Sequence, residues 1–461
     1  MRARFLTALL AACMAPLCGA PLAAAAIKTA QPSAATRVAG AEQIQSVQLA
    51  NGMRIVVWPD HDIPNVALYN WVRVGSRNEA PGITGLAHFF EHMMFNGTST
   101  HAQGEFDRAL EANGARNNAS TSSDVTIYQD WLPIGALELV FQLEADRLRN
   151  LAFDPKVIES ERGVVYSERR LSVDDSHAGR LQEQVQAAAF VAHPYAIPTI
   201  GWPSDIESWQ VDDLKKFFAT YYAPNNCTMI IVGDVDPAGV IALARKHFAS
   251  LAAHEPPPVI RTREPKQQGE RRVLVEGAAQ TPLLQFAYHS IAAADTRLPA
   301  LELLMRILTD GDASRLHRAL VEEQKIAISV DGHYDVGFDP GLTWFFLSLP
   351  ADGDRARAEA SFDTEIARIR SDGVTAEELA RARNQALGDF WRGLATIDGK
   401  AAALGSYAVM KGGYQKLFEA PHAYEAVGAE DVKKLAAELF LTSNRTVGVL
   451  TAAAGTVQEA E

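Results

Sequence analysis

Two histidines and a glutamate fall within five residues in the segment Gly82–Thr98, which reads GITGLAHFFEHMMFNGT. Leu86, Phe90 and Met93 recur at helical spacing and Asn96-Gly97 is a stop signal, so the spacing predicts a helix here. On that helix His88, Glu91 and His92 are i, i+3 and i+4 and project from one face. Two imidazoles one turn apart can ligate a single zinc ion. The carboxylate between them is then placed to take a proton from a water that the metal activates for attack on a carbonyl. The bland alternative is two surface histidines and an ordinary helix glutamate. The apolar residues around the three argue against a solvated face.

The spacing H-x-x-E-H is a zinc-peptidase signature with that mechanism. A catalytic zinc takes three protein ligands and keeps a fourth position open, so a third ligand must come from another element. Asp154-Pro155 is an N-cap followed by proline at the first helical position, and it predicts a second helix. That helix carries Glu161 and Glu168, two turns apart on one face. Glu168 follows His92 after 75 intervening residues. Spacing alone does not choose among Glu159, Glu161 and Glu168, and charged helix faces are ordinarily just solvated.

These helices need a larger frame, and the sequence writes that frame twice. Asp213–Thr228 reads DLKKFFATYYAPNNCT and Asp431–Thr446 reads DVKKLAAELFLTSNRT. Asp213 matches Asp431, Lys215 matches Lys433, Asn226 matches Asn444 and Thr228 matches Thr446, each pair 218 positions apart. The same offset pairs Arg54 with Arg272, Val57 with Val275 and Pro64 with Pro282. Each copy opens on a strand-like run (Met53–Trp58, Arg272–Val275). Each closes on an amphipathic helix and a β-rich segment, Met229–Gly233 or Val447–Leu450. Strands and long helices alternate irregularly, without a glycine-rich nucleotide loop. The expectation is an α+β fold of two homologous domains, each a mostly antiparallel sheet with packed helices. The first, residues 43–252, carries the metal motif, and the second, 271–455, does not. Between them, 253–270 is a linker that includes His254-Glu-Pro-Pro-Pro258.

A chain of 461 residues has room for such domains, and its 48% hydrophobic, 21% charged composition is that of a globular protein. The net charge of −13 argues against a surface that neutralises phosphate, so nucleic acid is not expected as a partner. Arg2 and Arg4, the apolar run Phe5–Ala20 and the alanines Ala23–Ala26 predict an export signal over 1–26, followed by a linker over 27–42. The mature chain is then periplasmic or otherwise secreted. Leu10-Ala-Ala-Cys13 resembles a lipoprotein processing box, but the apolar run before it is short, so lipid anchoring at Cys13 ranks below secretion. Cys13 and Cys18 leave with the signal, and Cys227 alone cannot form an internal disulfide. No later stretch is long and apolar enough for a membrane span.

From about Val47 to Ala453 the chain resembles the pitrilysin family of inverted-motif zinc peptidases. It is most similar to the short, two-domain branch that includes the mitochondrial processing peptidases and many bacterial periplasmic members. The carriers are His88-x-x-Glu91-His92 and, after the family's spacing, Glu161-Arg-Gly-Val-Val-Tyr-Ser-Glu168. The resemblance implies one Zn2+ per chain on His88, His92 and Glu168, with Glu91 as the catalytic base. It also implies that Glu161 supports the site from behind. Asn118-Ala119-Ser120-Thr121, with Tyr128, resembles the family's active-site edge strand, to which a peptide substrate adds. By alternation alone, Ala119 to Tyr128 predicts only a strand. His193-Pro194-Tyr195, with Pro198 and Gly201, resembles the loop after the zinc helices, where His193 is expected to be structural.

One departure carries information. Family members that work as one chain have an arginine and a tyrosine seven residues apart in the second half. The matching positions within Leu320–Val330 hold Val321 and Ile328, which donate no hydrogen bond to a developing oxyanion. Arg315, Arg318 and Tyr334 lie nearby as substitutes. The second half rebuilds no H-x-x-E-H around His289, His317, His333 or His422. At the repeat offset Glu91 meets Thr309 and His92 meets Asp310. This combination resembles the zinc subunit of a heterodimer. It implies a zinc endopeptidase for short or unfolded peptides, whose homologous partner lacks zinc and supplies the Arg/Tyr pair. The alternatives are a stand-alone or homodimeric periplasmic peptidase and a non-catalytic assembly subunit.

Overall fold

Alternate residues of a strand reach opposite faces of its sheet, so strands that are apolar throughout must be covered on both sides. The computed structural model describes residues 38, 40–277 and 281–452. In it β2 (Arg54–Pro59), β3 (Asn65–Val72) and β6 (Cys227–Gly233) are buried over almost their whole length. With β1 (Gln45–Gln48), β4 (Arg116–Thr121) and β5 (Thr126–Pro133) they form one sheet in the order β1-β2-β6-β3-β5-β4. Only its β2–β6 pair is parallel. The second sheet joins β7 (Arg271–Gly277), β8 (Leu283–His289), β9 (Ser329–Tyr334), β10 (Leu342–Ser348) and β11 (Arg445–Ala452). Its order is β7-β11-β8-β10-β9, and only β7–β11 is parallel. Exchanging β2 for β7, β6 for β11, β3 for β8, β5 for β10 and β4 for β9 converts one order into the other. The fold is therefore α+β with the expected repeat. The extra strand, β1, was not expected, because Gln45-Ser-Val-Gln48 has no apolar alternation.

The helices repeat with the strands. In the first half they are α1 (Leu86–Met93), α2 (Glu105–Ala112), α3 (Leu137–Asn150), α4 (Pro155–Arg169), α5 (His177–Ala189), α6 (Pro203–Ser208), α7 (Val211–Tyr221) and α8 (Pro237–Phe248). The second half has α9 (Leu298–Thr309), α10 (Arg355–Asp372), α11 (Ala376–Gly393), α12 (Ile397–Val409), α13 (Ala420–Ala426) and α14 (Ala429–Leu439). One face of the first sheet is covered by α1, α3, α7 and α8, through residues such as Phe90, Phe141, Leu214 and Phe248. Its other face is covered by a helix of the second half, where Ala401 and Leu404 of α12 meet Trp58, Trp71 and Ile230. The second sheet is treated the same way. Its own α9, α10 and α14 cover one face, and Leu181 and Val185 of α5, from the first half, cover Ala287, Trp344 and Leu450 on the other. Each Leu and Val among them contributes roughly 1.5–3 kcal/mol when buried, so neither half is finished without its counterpart. The described residues from Val38 onward accordingly form one compact body.

Residues 252–268 contain no helix or strand but are pinned. Glu264 accepts from the N–H groups of Val191, Ala192 and His193, and Gln267 donates to the Arg445 carbonyl. The expected export signal and Cys13 lie outside the described residues. Cys227 is buried and free. Among the described residues no helix is long and apolar enough to cross a membrane. The single strand expected from Ala119 to Tyr128 is instead a hairpin. Ser122 Oγ accepts from the N–H groups of Asp124 and Val125 and turns the chain between β4 and β5.

Candidate metal centre

Helix α1 is only eight residues long, too short to hold itself in place, and it is fixed at both ends and along one side. Gly85 precedes it with φ of 87°, a left-handed conformation that glycine adopts without penalty. The Glu79 carboxylate then accepts from two N–H groups at the helix start, Gly85 and Ala87, each at 2.7 Å. Burial drives the Glu79 carboxyl well above its ordinary range, opposed by these two donors. Phe89 packs on Trp209, and Phe90 packs on Phe217, Phe218 and Tyr222. Tyr128 donates to the Phe90 carbonyl at 3.1 Å. The helix ends at Met93, where Asn96 Nδ2 donates to the His92 carbonyl.

Helix α4 starts where expected, with the Asp154 carboxylate accepting from Lys156 N–H. It runs against α1 and brings Glu168 Oε2 to 3.6 Å from His88 Nε2 and 3.5 Å from His92 Nε2. One atom from each of the three side chains lies within 4.8 Å of the other two, the one such cluster among the described residues. Ligand atoms about 2.0–2.2 Å from a tetrahedral zinc stand about 3.4 Å apart, so the two separations from Glu168 fit a zinc ion. Glu161 sits one layer back. Its Oε1 is 2.8 Å from His92 Nδ1, and its Oε2 accepts from Asn96 Nδ2 at 2.9 Å. That bond fixes the His92 ring and leaves Nε2 facing Glu168. Spacing alone could not separate Glu159, Glu161 and Glu168. Here Glu168 faces both imidazoles, Glu161 stands behind one of them, and Glu159 lies beside Arg162 on the exposed side of α4.

Burial, and then the neighbouring His92, push His88 down to about 4, which favours the neutral imidazole that a metal needs. For His92 burial acts the same way, but Glu161, Glu168 and Glu91 outweigh it and the net shift is upward. Burial raises the Glu91 carboxyl above its ordinary value, against opposing contributions from Thr121 and His92. A carboxyl moved towards neutrality is better suited to carry a proton. Thr121 Oγ donates to Glu91 Oε2 at 2.6 Å. That contact was not foreseen.

Thr121 ends β4, the outer strand of the first sheet. Asn118, Ala119 and Ser120 precede it, opposite Gln129, Tyr128 and Ile127 of β5. The other edge of β4 is unpaired among the described residues, and such a row of N–H and C=O groups can accept an extended peptide. Tyr128 is fully buried and supports α1 from beneath. His193 lies apart from the His88–His92–Glu168 cluster, and its Nδ1 accepts from Tyr195 N–H while Nε2 is 3.3 Å from Asp339.

In the second half the side chains near the missing pair are already engaged. Arg315 makes two bonds to the Glu378 carboxylate and one to the Gly373 carbonyl. Tyr334 donates to Glu302. Arg318 is exposed, 3.5 Å from Glu323. Ile328 presents 59% of its surface to solvent. Where the repeat sets Arg306 against His88 and Asp310 against His92, a different arrangement appears. Arg306 Nη1 is 2.7 Å from Asp310 on its own helix and 2.7 Å from Asp389 on α11, the counterpart of α4. A guanidinium bound to the chain stands between two carboxylates.

Residues 54–202 match the Insulinase (Peptidase family M16) model, and residues 208–386 match the Peptidase M16 inactive domain. The zinc protease PqqE of Helicobacter pylori is 31% identical over 414 residues, covering 87% of this chain and 91% of that one. A crystal structure of a protease from Helicobacter pylori superposes with a TM-score of 0.85 at 29% identity, over 88% of this chain and 99% of that one. The periplasmic protease PqqL of Escherichia coli shares the fold (TM-score 0.74, 21% identity), with 90% of this chain matching 48% of that longer chain. The chain belongs to peptidase family M16, the pitrilysin family.

Proposed function

We propose that this protein is a zinc-dependent endopeptidase acting on short or unfolded peptides. His88, His92 and Glu168 of the first domain (residues 43–252) hold one Zn2+, and Glu91 is the general base. The metal-free second domain (271–455) follows the linker 253–270. The observation that carries this is the convergence of two imidazoles and a carboxylate at ligand spacing, with Glu91 beside them and an open strand edge leading in. The names of the relatives, a zinc protease and proteases, support the same chemistry. A zinc ion there would act as a Lewis acid on the scissile carbonyl and on water. The peptide backbone pairs along Asn118–Thr121, which sets the scissile carbonyl over the cluster. Glu91, held by Thr121, takes the proton from the attacking water and returns it to the leaving nitrogen. Glu161 keeps the His92 ring in place throughout.

The second part of the proposal is a partner. Two of the three nearby substitutes for the Arg/Tyr pair, Arg315 and Tyr334, are bonded elsewhere in the second half, which leaves only the exposed Arg318. Val164 and Leu171 flank Glu168 on α4 and just beyond it, 48% and 76% exposed, an apolar surface beside the open side of the cluster. A homologous subunit without zinc would cover it and supply the pair. The length of PqqL, about twice the stretch matched here, leaves room for a second such unit in one chain. Export places the pair in the periplasm or outside the cell.

The test is cleavage of a quenched, unstructured peptide by the mature chain alone, with zinc and with a chelator. Chelator-sensitive turnover by the lone chain supports the peptidase and rules out an obligatory partner. One zinc bound without turnover favours the heterodimer. No zinc bound and no turnover contradict the proposal.

A further inference from the structure

The segment Gly75–Glu79 contributes no side chain to the three-residue cluster, yet it touches both the helix that carries His88, Glu91 and His92 and the turn after the edge strand. On one side Glu79 fixes the start of α1 through the Gly85 and Ala87 N–H groups. On the other, Ser76 N–H donates to the Ser122 carbonyl and Arg77 N–H to the Ser123 carbonyl, the two residues that follow Thr121. The fit is close: a Cβ on Gly75 would collide with the Ser122 and Ser123 backbone. Segment 75–79 is thus a bracket spanning the metal-bearing helix and the edge strand.

The Arg77 side chain extends the bracket across the molecule. It is buried, with Nη1 2.6 Å from Asp124 Oδ1 and Nη2 bonded to Asp339, at the tip of the β9–β10 hairpin of the second half. Tyr195 OH donates to Asp124 at 2.8 Å and accepts from Asp339 N–H at 3.1 Å. His193 Nε2 faces the same Asp339 carboxylate. The guanidinium also lies 5.4 Å over the Tyr195 ring and 5.7 Å over Phe338 of the hairpin. A paired, desolvated arginine of this kind resists displacement, because losing one partner leaves its charge uncompensated.

We propose that Glu79 and Asp339 are positioning residues. The second half, without offering any group to the metal, sets the distance between α1 and the substrate strand through Asp339, Arg77 and the bracket. This rests on the peptidase reading of the cluster. Reacting groups displaced by a fraction of an ångström lose rate steeply, so the role has a kinetic signature.

The experiment compares the mature chain with its Asp339→Ala, Asp339→Glu and Glu79→Gln variants by amide hydrogen exchange, bound zinc and peptide cleavage. In Asp339→Ala the amides of Ser76 and Arg77 exchange faster, and in Glu79→Gln those of Gly85 and Ala87 do so. One zinc per chain is retained in both. In each, kcat falls about tenfold with a smaller change in KM, and Asp339→Glu recovers most of the loss. Unchanged exchange at Ser76 and Arg77 in Asp339→Ala overturns the bracket. Faster exchange there with unaltered kcat overturns the positioning role. Failure of the wild-type chain to cleave strikes the peptidase reading instead, because the exchange comparison decides the bracket without any turnover.

Discussion

The two halves bring charged and metal-ligating side chain types together at corresponding helix crossings, and they do so differently. In the first, His88, His92 and Glu168 meet on α1 and α4 at the spacing of metal ligands. In the second, Arg306, Asp310 and Asp389 meet on α9 and α11, and the cation is a guanidinium carried by the chain. Glu91 stands beside the first cluster, whereas Thr309 occupies its place in the second and donates only to the Met305 carbonyl of its own helix. A helix crossing that gathers charge can be closed by an internal ion pair, which is inert, or by donors that leave an exchangeable ion one open position. The same fold carries both clusters, so any difference in chemistry between the halves lies in these few side chains.

Removing the proposed base breaks the comparison most severely. Glu91→Gln should retain one zinc per chain and lose about 10²–10⁴ of peptide turnover, while Thr309→Ala changes neither. Turnover assays with parallel metal analysis check both. The support behind the ligands comes next. Glu161→Gln frees the His92 ring and should weaken zinc binding about 10–100-fold, read by competition with a chelating dye. Unaltered affinity would mean that the His92–Glu161 contact does no more than pack.

Smaller effects belong to the metal-free half. Arg306→Ala leaves Asp310 without its cation and Asp389 with Arg392 alone, and should cost about 0.5–1 kcal/mol in urea unfolding, with zinc content unchanged. A larger loss would show that this ion pair bears more of the fold than its exposure allows. The smallest effect is one of pH. Burial pushes the Glu378 carboxyl up, but Arg315 and the Thr375 N–H more than offset this and hold it at about 2, against an ordinary 4.5. A carboxyl held below its unfolded value stabilises the fold above that value and loses the contribution as pH falls through the folded one. The difference in melting temperature between wild type and Arg315→Ala should therefore be full near neutrality and shrink as pH drops from about 4.5 towards about 2. A constant difference across that window would contradict the assignment.

The helical spacing of His88, Glu91 and His92 was legible because three residues one turn apart are constrained by the helix alone. The repeat was legible at the closing helix and strand of each half. Other features depend on tertiary geometry and left no local trace. Glu79 looks like any charged residue until the left-handed Gly85 turns two N–H groups towards it. Arg306 shows its role only when the repeat offset is applied to His88 and α11 is seen to cross α9. That α5 and α12 cover each other's sheets is hidden because each carries only an ordinary apolar stripe. The turn at Ser122–Asp124 did have a signal, a serine and aspartate run, which the longer alternation from Ala119 to Tyr128 masked.

The most direct test is metal content by mass spectrometry of the purified mature chain and its His92→Ala, Glu168→Ala and Arg306→Ala variants. One zinc per wild-type chain, lost in the first two variants and kept in the third, is the expected result. Zinc retained after both His92→Ala and Glu168→Ala, or lost with Arg306→Ala, would place the ion elsewhere and contradict the account.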